Sequence, residues 1–348
     1  MPKLIPLTAA ATLLATVLTA GAQGTPAPQS AASVTVTVDN FTHAESDRYF
    51  ALTVKRGGFG KFAHFRELVP IDTATVVRPN RDTLYSTAVF DLNAGPVTVT
   101  MPDAKGRFMS LSVLDEAAHV LGVHYQAGSY TLRRQDVGTR YVMVGVRTLI
   151  DPGKPEDVKQ AWVLQDAIAV SQPGGPGRFE VPAWDEESQT KIRTALIALG
   201  TTLDDSKGMF GKPGEVDPLR NLIGSAIAWG GIPEKDAFYQ VVWPERNDGQ
   251  TAYRLDLPTV PVGAFWSVSV YNAGGSFERN ELNAYSINSL TAKRAADGSV
   301  SIQFGGCSNA SINCLPTPAG WNYMVRYYLP HAEILQGTWN LPAPRPAS

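Results

Sequence analysis

The sequence is short of most features that would announce a function. It has two cysteines in 348 residues, only five histidines, and a formal charge of −2 from 30 basic and 32 acidic side chains. Without a Lys/Arg-rich block, neither nucleic acid nor a lipid surface is expected as a main partner. Gly-x-x-x-x-Gly-Lys-[Ser/Thr] and the Rossmann glycine pattern are both missing, so no nucleotide cofactor, and no other cofactor, is expected. Gly-x-Ser-x-Gly is missing too, and Ser86, Ser267 and Ser269 sit inside strand patterns rather than at strained turns, so nucleophilic catalysis is not signalled. Beyond the first residues there is no apolar run of the ~18 residues that a membrane span requires.

What is present begins with a leader. Lys3, an apolar run from Leu4 to Ala20, and Ala20-Gly21-Ala22 read as a signal peptide over residues 1–22. Export is therefore expected, to the periplasm or beyond, with no stable membrane insertion after cleavage. Cys307 and Cys314 share a Gly/Asn/Ser-rich loop, which in an oxidising compartment predicts a disulfide. A metal site would need more ligands than this pair supplies.

With 31 glycines, 25 prolines and 18% charged residues, the composition favours strands and loops over long helices. Residues 23–33 form a flexible leader. Residues 34–150 alternate as strands, at Val34–Val38, Val97–Thr100, Met109–Leu114, Tyr130–Leu132 and Tyr141–Val146, with Thr42-x-x-Glu45 as a capping box opening a helix that stops at Gly57-Gly58. Residues 151–235 read as a helical connector, with starts at Pro155, Asp185 and Asp217-Pro218. Strands return over residues 236–348, at Tyr253–Leu257, Ala264–Asn272, Ser299–Phe304 and Asn322–Leu329. The expected fold is mainly β with helices (α+β): two β-sandwich or jelly-roll-like domains joined by helices.

Two stretches go beyond pattern. Val77-Arg78-Pro79-Asn80-Arg81-Asp82-Thr83-Leu84-Tyr85-Ser86 resembles the hallmark of the domain-of-unknown-function family 1254. Gly263-Ala264-Phe265-Trp266-Ser267-Val268-Ser269-Val270-Tyr271, with Tyr285-Ser286-Ile287, Arg326-Tyr327-Tyr328-x-Pro330 and Gly337-x-Trp339, resembles family 1214. The resemblance spans nearly the whole chain after the leader. It implies two β-rich domains with helices between them in an exported bacterial protein, and it implies no activity.

Read from the residues, alternation from Asp82 puts Leu84, Ser86 and Ala88 on one face and Arg81, Thr83 and Tyr85 on the other. Arg81 and Tyr85 are directed donors that suit a pocket, with Asn80 and Asp82 at the adjoining turn; alternatively Asn80 and Asp82 serve only the turn itself. Asp115 and His119 could make an oriented general base. His119 and His124 lie five apart, which puts them on opposite faces of a strand, so no metal is expected. Trp266 and Tyr271 are either walls of a site or core aromatics. The expectation is an exported enzyme acting on a small organic molecule in an interdomain cleft, with His119, Asp115 and Arg81 catalytic and Asn80, Asp82, Tyr85, Trp266 and Tyr271 binding. The alternative is a non-catalytic envelope protein that binds carbohydrate or another small ligand; a structural role and the oligomeric state stay open.

Overall fold

The computed structural model describes residues 33–72, 77–203, 205–308 and 311–347. The expected signal peptide and nearly all of the leader after it lie outside the described residues. Over the described residues the chain is α+β, with several mostly antiparallel sheets, six helices and no closed barrel.

The first half is built on a five-stranded sheet in the order Ala63–His64, Thr83–Asp91, Tyr141–Leu149, Met109–Asp115, Val120–His124. A smaller sheet of Gly128–Leu132, Val97–Met101 and Ala169–Ser171 lies in the same half. In Val97–Met101, Val97, Val99 and Met101 point into the core, while Thr98 and Thr100 pair outward with the hydroxyls of Thr131 (2.9 Å) and Ser129 (2.8 Å). The shared core gathers Ala88, Phe90, Leu111, Val113, Val142, Val144 and Val146. Helices Phe41–Lys55 and Pro218–Ile227 are in contact, and both touch Glu186–Gly200. The region expected to be a pure connector thus also supplies the strand Ala169–Ser171 to the first half.

The second half is a sandwich. One sheet runs Ser286–Asn288, Trp266–Tyr271, Asn322–Tyr328, Ala237–Val242; the other runs Cys314–Leu315, Val300–Phe304, Tyr253–Leu257, Arg345–Pro346. Leu255, Trp266, Val268, Ile302, Phe304, Trp321, Tyr323 and Tyr327 fill the space between them.

Helix starts fall where the sequence places them. Asp185 caps Glu186–Gly200 by accepting from the Ser188 N–H, and Asp217 caps Pro218–Ile227 through the Arg220 N–H. Two expectations need correction. Val34–Val38 makes no strand, only a single bridge from Val34 to Trp184, because no partner strand runs beside it. The Thr42–Glu45 capping box does not form: Asn40 precedes the helix without a side-chain cap, and Glu45 is buried against Arg193 and Gln189 instead.

Cys307 and Cys314 are bonded, with Cα atoms 5.7 Å apart. Replacing both by serine is expected to lower stability by roughly 2.5 kcal/mol, from the loop-closure entropy of eight residues. Urea unfolding of the double variant checks this; a loss below about 0.5 kcal/mol would mean that the Gln303 amide bonds to Gly305 and Gly306 hold the loop without the bridge.

Candidate functional site

The segment before Thr83 is the link between the halves. Asp82 is 1% exposed, and its Oδ1 accepts from Ser286 Oγ (3.0 Å) and Asn288 Nδ2 (3.1 Å) of the second half. The carbonyl of Pro79 accepts from the Tyr271 hydroxyl at 2.8 Å, and that of Arg78 accepts from Arg326 Nη2 at 2.8 Å. Arg78 itself bonds Asn322 Oδ1 (3.1 Å) and carries a φ of 50°, a strained conformation that these cross-links hold in place. Asn80 closes the turn: its Oδ1 accepts from the Asp82 N–H, and its Nδ2 donates to Thr83 Oγ1 (2.9 Å) and the Tyr85 hydroxyl (3.0 Å).

Strand register then decides what faces the other half. In the first sheet Tyr85 pairs with Arg147, which pairs in turn with Ser110, so the three share one face. In the second, Ser267 pairs with Arg326, which pairs with Tyr239, and Tyr271 and Tyr328 project from the same side. The halves meet along these faces: Tyr125 donates to Asp236 Oδ1 (2.9 Å) and Leu149 packs with Phe265 and Tyr328, while Arg147 Nη2 donates to the carbonyl of Gly230 (3.0 Å) near the end of the connector. Tyr85, Arg147 and Tyr239 remain partly accessible, while Arg326, Tyr271 and Tyr328 are buried, so Arg and Tyr side chains line the seam from its accessible edge inward.

Its electrostatics are unusual. Among the described residues, every hydrogen-bond partner of the two guanidiniums is neutral. Arg147 reaches Ser112 Oγ and the Gly230 carbonyl; Arg326 reaches Ser269 Oγ, the Tyr271 hydroxyl and the carbonyls of Arg78 and Pro79. Burial opposes the charge of Arg147, yet the oxygens of Tyr85, Tyr239 and Tyr328 outweigh it and hold the group above its ordinary range. Burial pushes the Tyr239 and Tyr328 hydroxyls up, so both stay protonated donors at neutral pH. At the seam, three buried oxygens have no partner among the described residues: Ser110 Oγ beside Arg147, Ser267 Oγ beside Arg326, and Asp82 Oδ2.

The other candidates read from the sequence fall elsewhere. Asp115 and His119 do form a dyad, Oδ2 to Nδ1 at 3.0 Å, with Asp115 Oδ1 accepting the N–H groups of Ala117 and His119. The dyad lies at the far end of the sheet: Asp115 pairs with Val142, five residues from Arg147, or roughly 17 Å along the strand. His119 is therefore not brought to Arg81 and Tyr85. His124 ends the strand Val120–His124 and packs on Tyr130, apart from His119. Arg81 donates to the Val69 carbonyl and covers the rings of Tyr285 (5.4 Å) and Phe277 (5.9 Å), contacts that clamp this segment. Trp266 faces the second core, because alternation puts it on the side opposite Ser267 and Tyr271. Tyr271 borders the seam with its hydroxyl tied to Pro79 and Arg326. An open hollow of about 340 Å³ beside Ala237–Val242 carries Asp205 and Lys207, but Asp205 is already paired with Arg220.

Arg147, Tyr239 and Ser110 were not singled out from the sequence, and Arg326 and Tyr328 entered only through a family-like motif and the aromatic pattern, with no site role assigned. The available signal was an arginine inside each of two apolar strands, Val146-Arg147-Thr148 and Val325-Arg326-Tyr327.

A group at the dyad end also brings acids together: His43, Asp47 and Glu116. Burial pushes the Asp47 carboxyl up to about 6 from 3.8, with the Trp184 N–H and His43 opposing and Glu116 adding to the rise. The folded state then keeps a proton that the unfolded chain has released between about pH 4 and pH 6, so stability falls as pH rises through that window. Asp47→Asn in chelator-treated protein is expected to remove the fall and gain on the order of 2 kcal/mol at pH 8, with little change at pH 4. Urea unfolding at both pH values checks this; equal effects at the two would contradict it.

One similar solved structure agrees with the architecture over most of the chain. The VPA0106 protein from Vibrio parahaemolyticus superposes with a TM-score of 0.70 at 17% identity, covering 89% of this chain and 98% of that one. An uncharacterized protein from Burkholderia cenocepacia gives 0.49 at 14% identity, over 84% of this chain and 85% of that one. No curated protein matches the chain. Residues 59–172 match the family described as protein of unknown function (DUF1254), and residues 244–332 match protein of unknown function (DUF1214). The seam between Tyr85, Arg147 and Arg326 is thus the junction of these two units, and the chain belongs to the proteins that carry DUF1254 followed by DUF1214.

Proposed function

We propose that this chain is an exported enzyme that acts on a small organic anion, most simply a carboxylate, held in the interdomain seam. The observation that carries the reading is the pair Arg147 and Arg326, sunk between two domains with neutral hydrogen-bond partners only. A buried guanidinium without a counter-charge is costly: Arg326 has the buried Asp82 carboxylate acting on it, whereas Arg147 hydrogen-bonds only neutral groups among the described residues, and an anion beside it supplies one. Arg147 gives the planar fork that suits a carboxylate. Ser110, Ser267, Tyr239 and Tyr328 add hydroxyl donors around it. Tyr85 accepts from Asn80, which leaves its own proton free to donate to substrate. The leader and the Cys307–Cys314 bridge support export.

A pure binding role is the second reading. It is favoured by Tyr239 and Tyr328, whose raised hydroxyls recognise an oxygen without exchanging a proton. Thermal melting of the chain from Gln23 onward against organic carboxylates, phosphates and neutral sugars tests the site. A ligand at 100 times its dissociation constant adds about 2.7 kcal/mol, enough for a shift of a few degrees. A shift with carboxylates but not sugars supports the site; turnover of that carboxylate by NMR supports the enzyme, and its persistence supports the binder. No shift with any anion counts against both.

A further inference from the structure

We propose that His43, Asp47 and Glu116 form a binding site for one divalent transition cation, with zinc the best match. His43 and Asp47 stand one turn apart on the same face of Phe41–Lys55. Glu116 enters from the turn after Met109–Asp115. His43 Nε2 lies 3.5 Å from Glu116 Oε1 and 3.7 Å from Asp47 Oδ2, and one donor atom from each residue falls within 4.8 Å of the others. Ligands at 2.0–2.2 Å from a tetrahedral zinc are roughly 3.3–3.6 Å apart, so two of the three edges are already near the required length.

The carboxylates are what set this group apart from a surface acid cluster. Asp47 is 1% exposed and Glu116 5%. Each is anchored through one oxygen by an N–H, Asp47 Oδ2 by Trp184 Nε1 (2.8 Å) and Glu116 Oε2 by the Tyr141 amide (2.9 Å). The second oxygen of each takes no N–H among the described residues: Glu116 Oε1 lies against His43, and Asp47 Oδ1 has no partner, while Oδ2, which Trp184 holds, is the Asp47 oxygen 3.7 Å from His43 Nε2. An orphaned oxygen on a carboxylate this deeply buried, beside a second carboxylate, calls for a positive ligand. Anchoring N–H groups of this kind orient carboxylates in metal sites. One imidazole with two carboxylates suits zinc better than calcium, which takes six to eight oxygens. His43 is 43% exposed, so a fourth position opens to solvent, as in sites where zinc holds a water.

The test is calorimetric titration of the tag-free, chelator-treated chain with ZnCl2 and, separately, CaCl2. The expected result is one zinc per chain, no response to calcium, and a loss of affinity of at least 10-fold in both His43→Ala and Glu116→Gln. Circular dichroism confirms folding, and His43→Gln serves as the second variant if Glu116→Gln does not fold. Cobalt(II) in place of zinc should give the visible absorption of a tetrahedral site in the wild type and not in His43→Ala. No zinc heat would overturn the proposal and leave the group as an ion-paired histidine. Zinc bound equally by the variants would overturn it by placing the metal elsewhere.

Discussion

Arg147→Met is expected to weaken the hold on a carboxylate ligand by about 100-fold or more, while the melting temperature stays unchanged or rises. Hydrogen bonds to a charged group are worth about 1.5–3 kcal/mol each, and a bidentate pair lost from a buried site exceeds the roughly 2.7 kcal/mol that separates two decades of affinity. Without ligand, Arg147 returns little to the fold. Its hydrogen bonds run to Ser112 Oγ at 3.3 Å and the Gly230 carbonyl at 3.0 Å, its guanidinium lies 5.6 Å over the Tyr85 ring, and no carboxylate is among its hydrogen-bond partners. Methionine fills similar space without that charge, so removing the desolvated cation offsets the lost bonds. Tyr85→Phe should behave alike on a smaller scale, because its hydroxyl serves the fold only through Asn80 and the neighbouring Arg147. Calorimetry with the best carboxylate from the melting panel checks both. A variant that melts several degrees lower and binds as before would make Arg147 a strut.

Asp82→Ala is expected to cost about 3 kcal/mol of stability, for the opposite reason. Its Oδ1 receives two bonds from the other domain, and truncation strands Ser286 and Asn288, the latter 3% exposed, without an acceptor. Relief of the orphaned Oδ2 offsets part of this loss. Asp82→Asn keeps an oxygen in place and should lose about 1 kcal/mol or less. Urea unfolding separates the two; a loss below about 1 kcal/mol for the alanine variant would mean that this segment does not lock the halves together.

The contrast between Asp82 and Arg147 also marks how far the sequence reaches. Strand alternation put Tyr85 and Ser86 on opposite faces, and the structure agrees: Tyr85 shares a face with Arg147, whereas Ser86 bonds His64 and Gln165. Asp115 and His119 were legible as a pair because four residues of one hairpin turn bring them together locally. The starts at Asp185 and Asp217 were legible because capping is local chemistry, and that at Pro155 because proline suits the first helical position. The seam was not. Tyr85 and Arg147 are neighbours through strand pairing, and Arg326 reaches the Arg78 carbonyl across 248 positions, a contact that no local spacing encodes. Trp266 and Tyr271 looked alike as aromatics in one strand, and only the packing of the second sheet says that one fills a core and the other borders a seam. The His43 group escaped for the same reason: the helical pair was in plain spacing, but its third member comes from a distant turn.

The central claim is that the seam between the domains takes an anion, and the most direct measurement is the anomalous difference map of a crystal soaked in sodium iodide. The account predicts an iodide beside the Arg147 guanidinium, within reach of the Tyr85 and Ser110 hydroxyls, and its disappearance in Arg147→Met. Iodide found only on outer surfaces, with the seam closed to it in the wild type, would contradict the account.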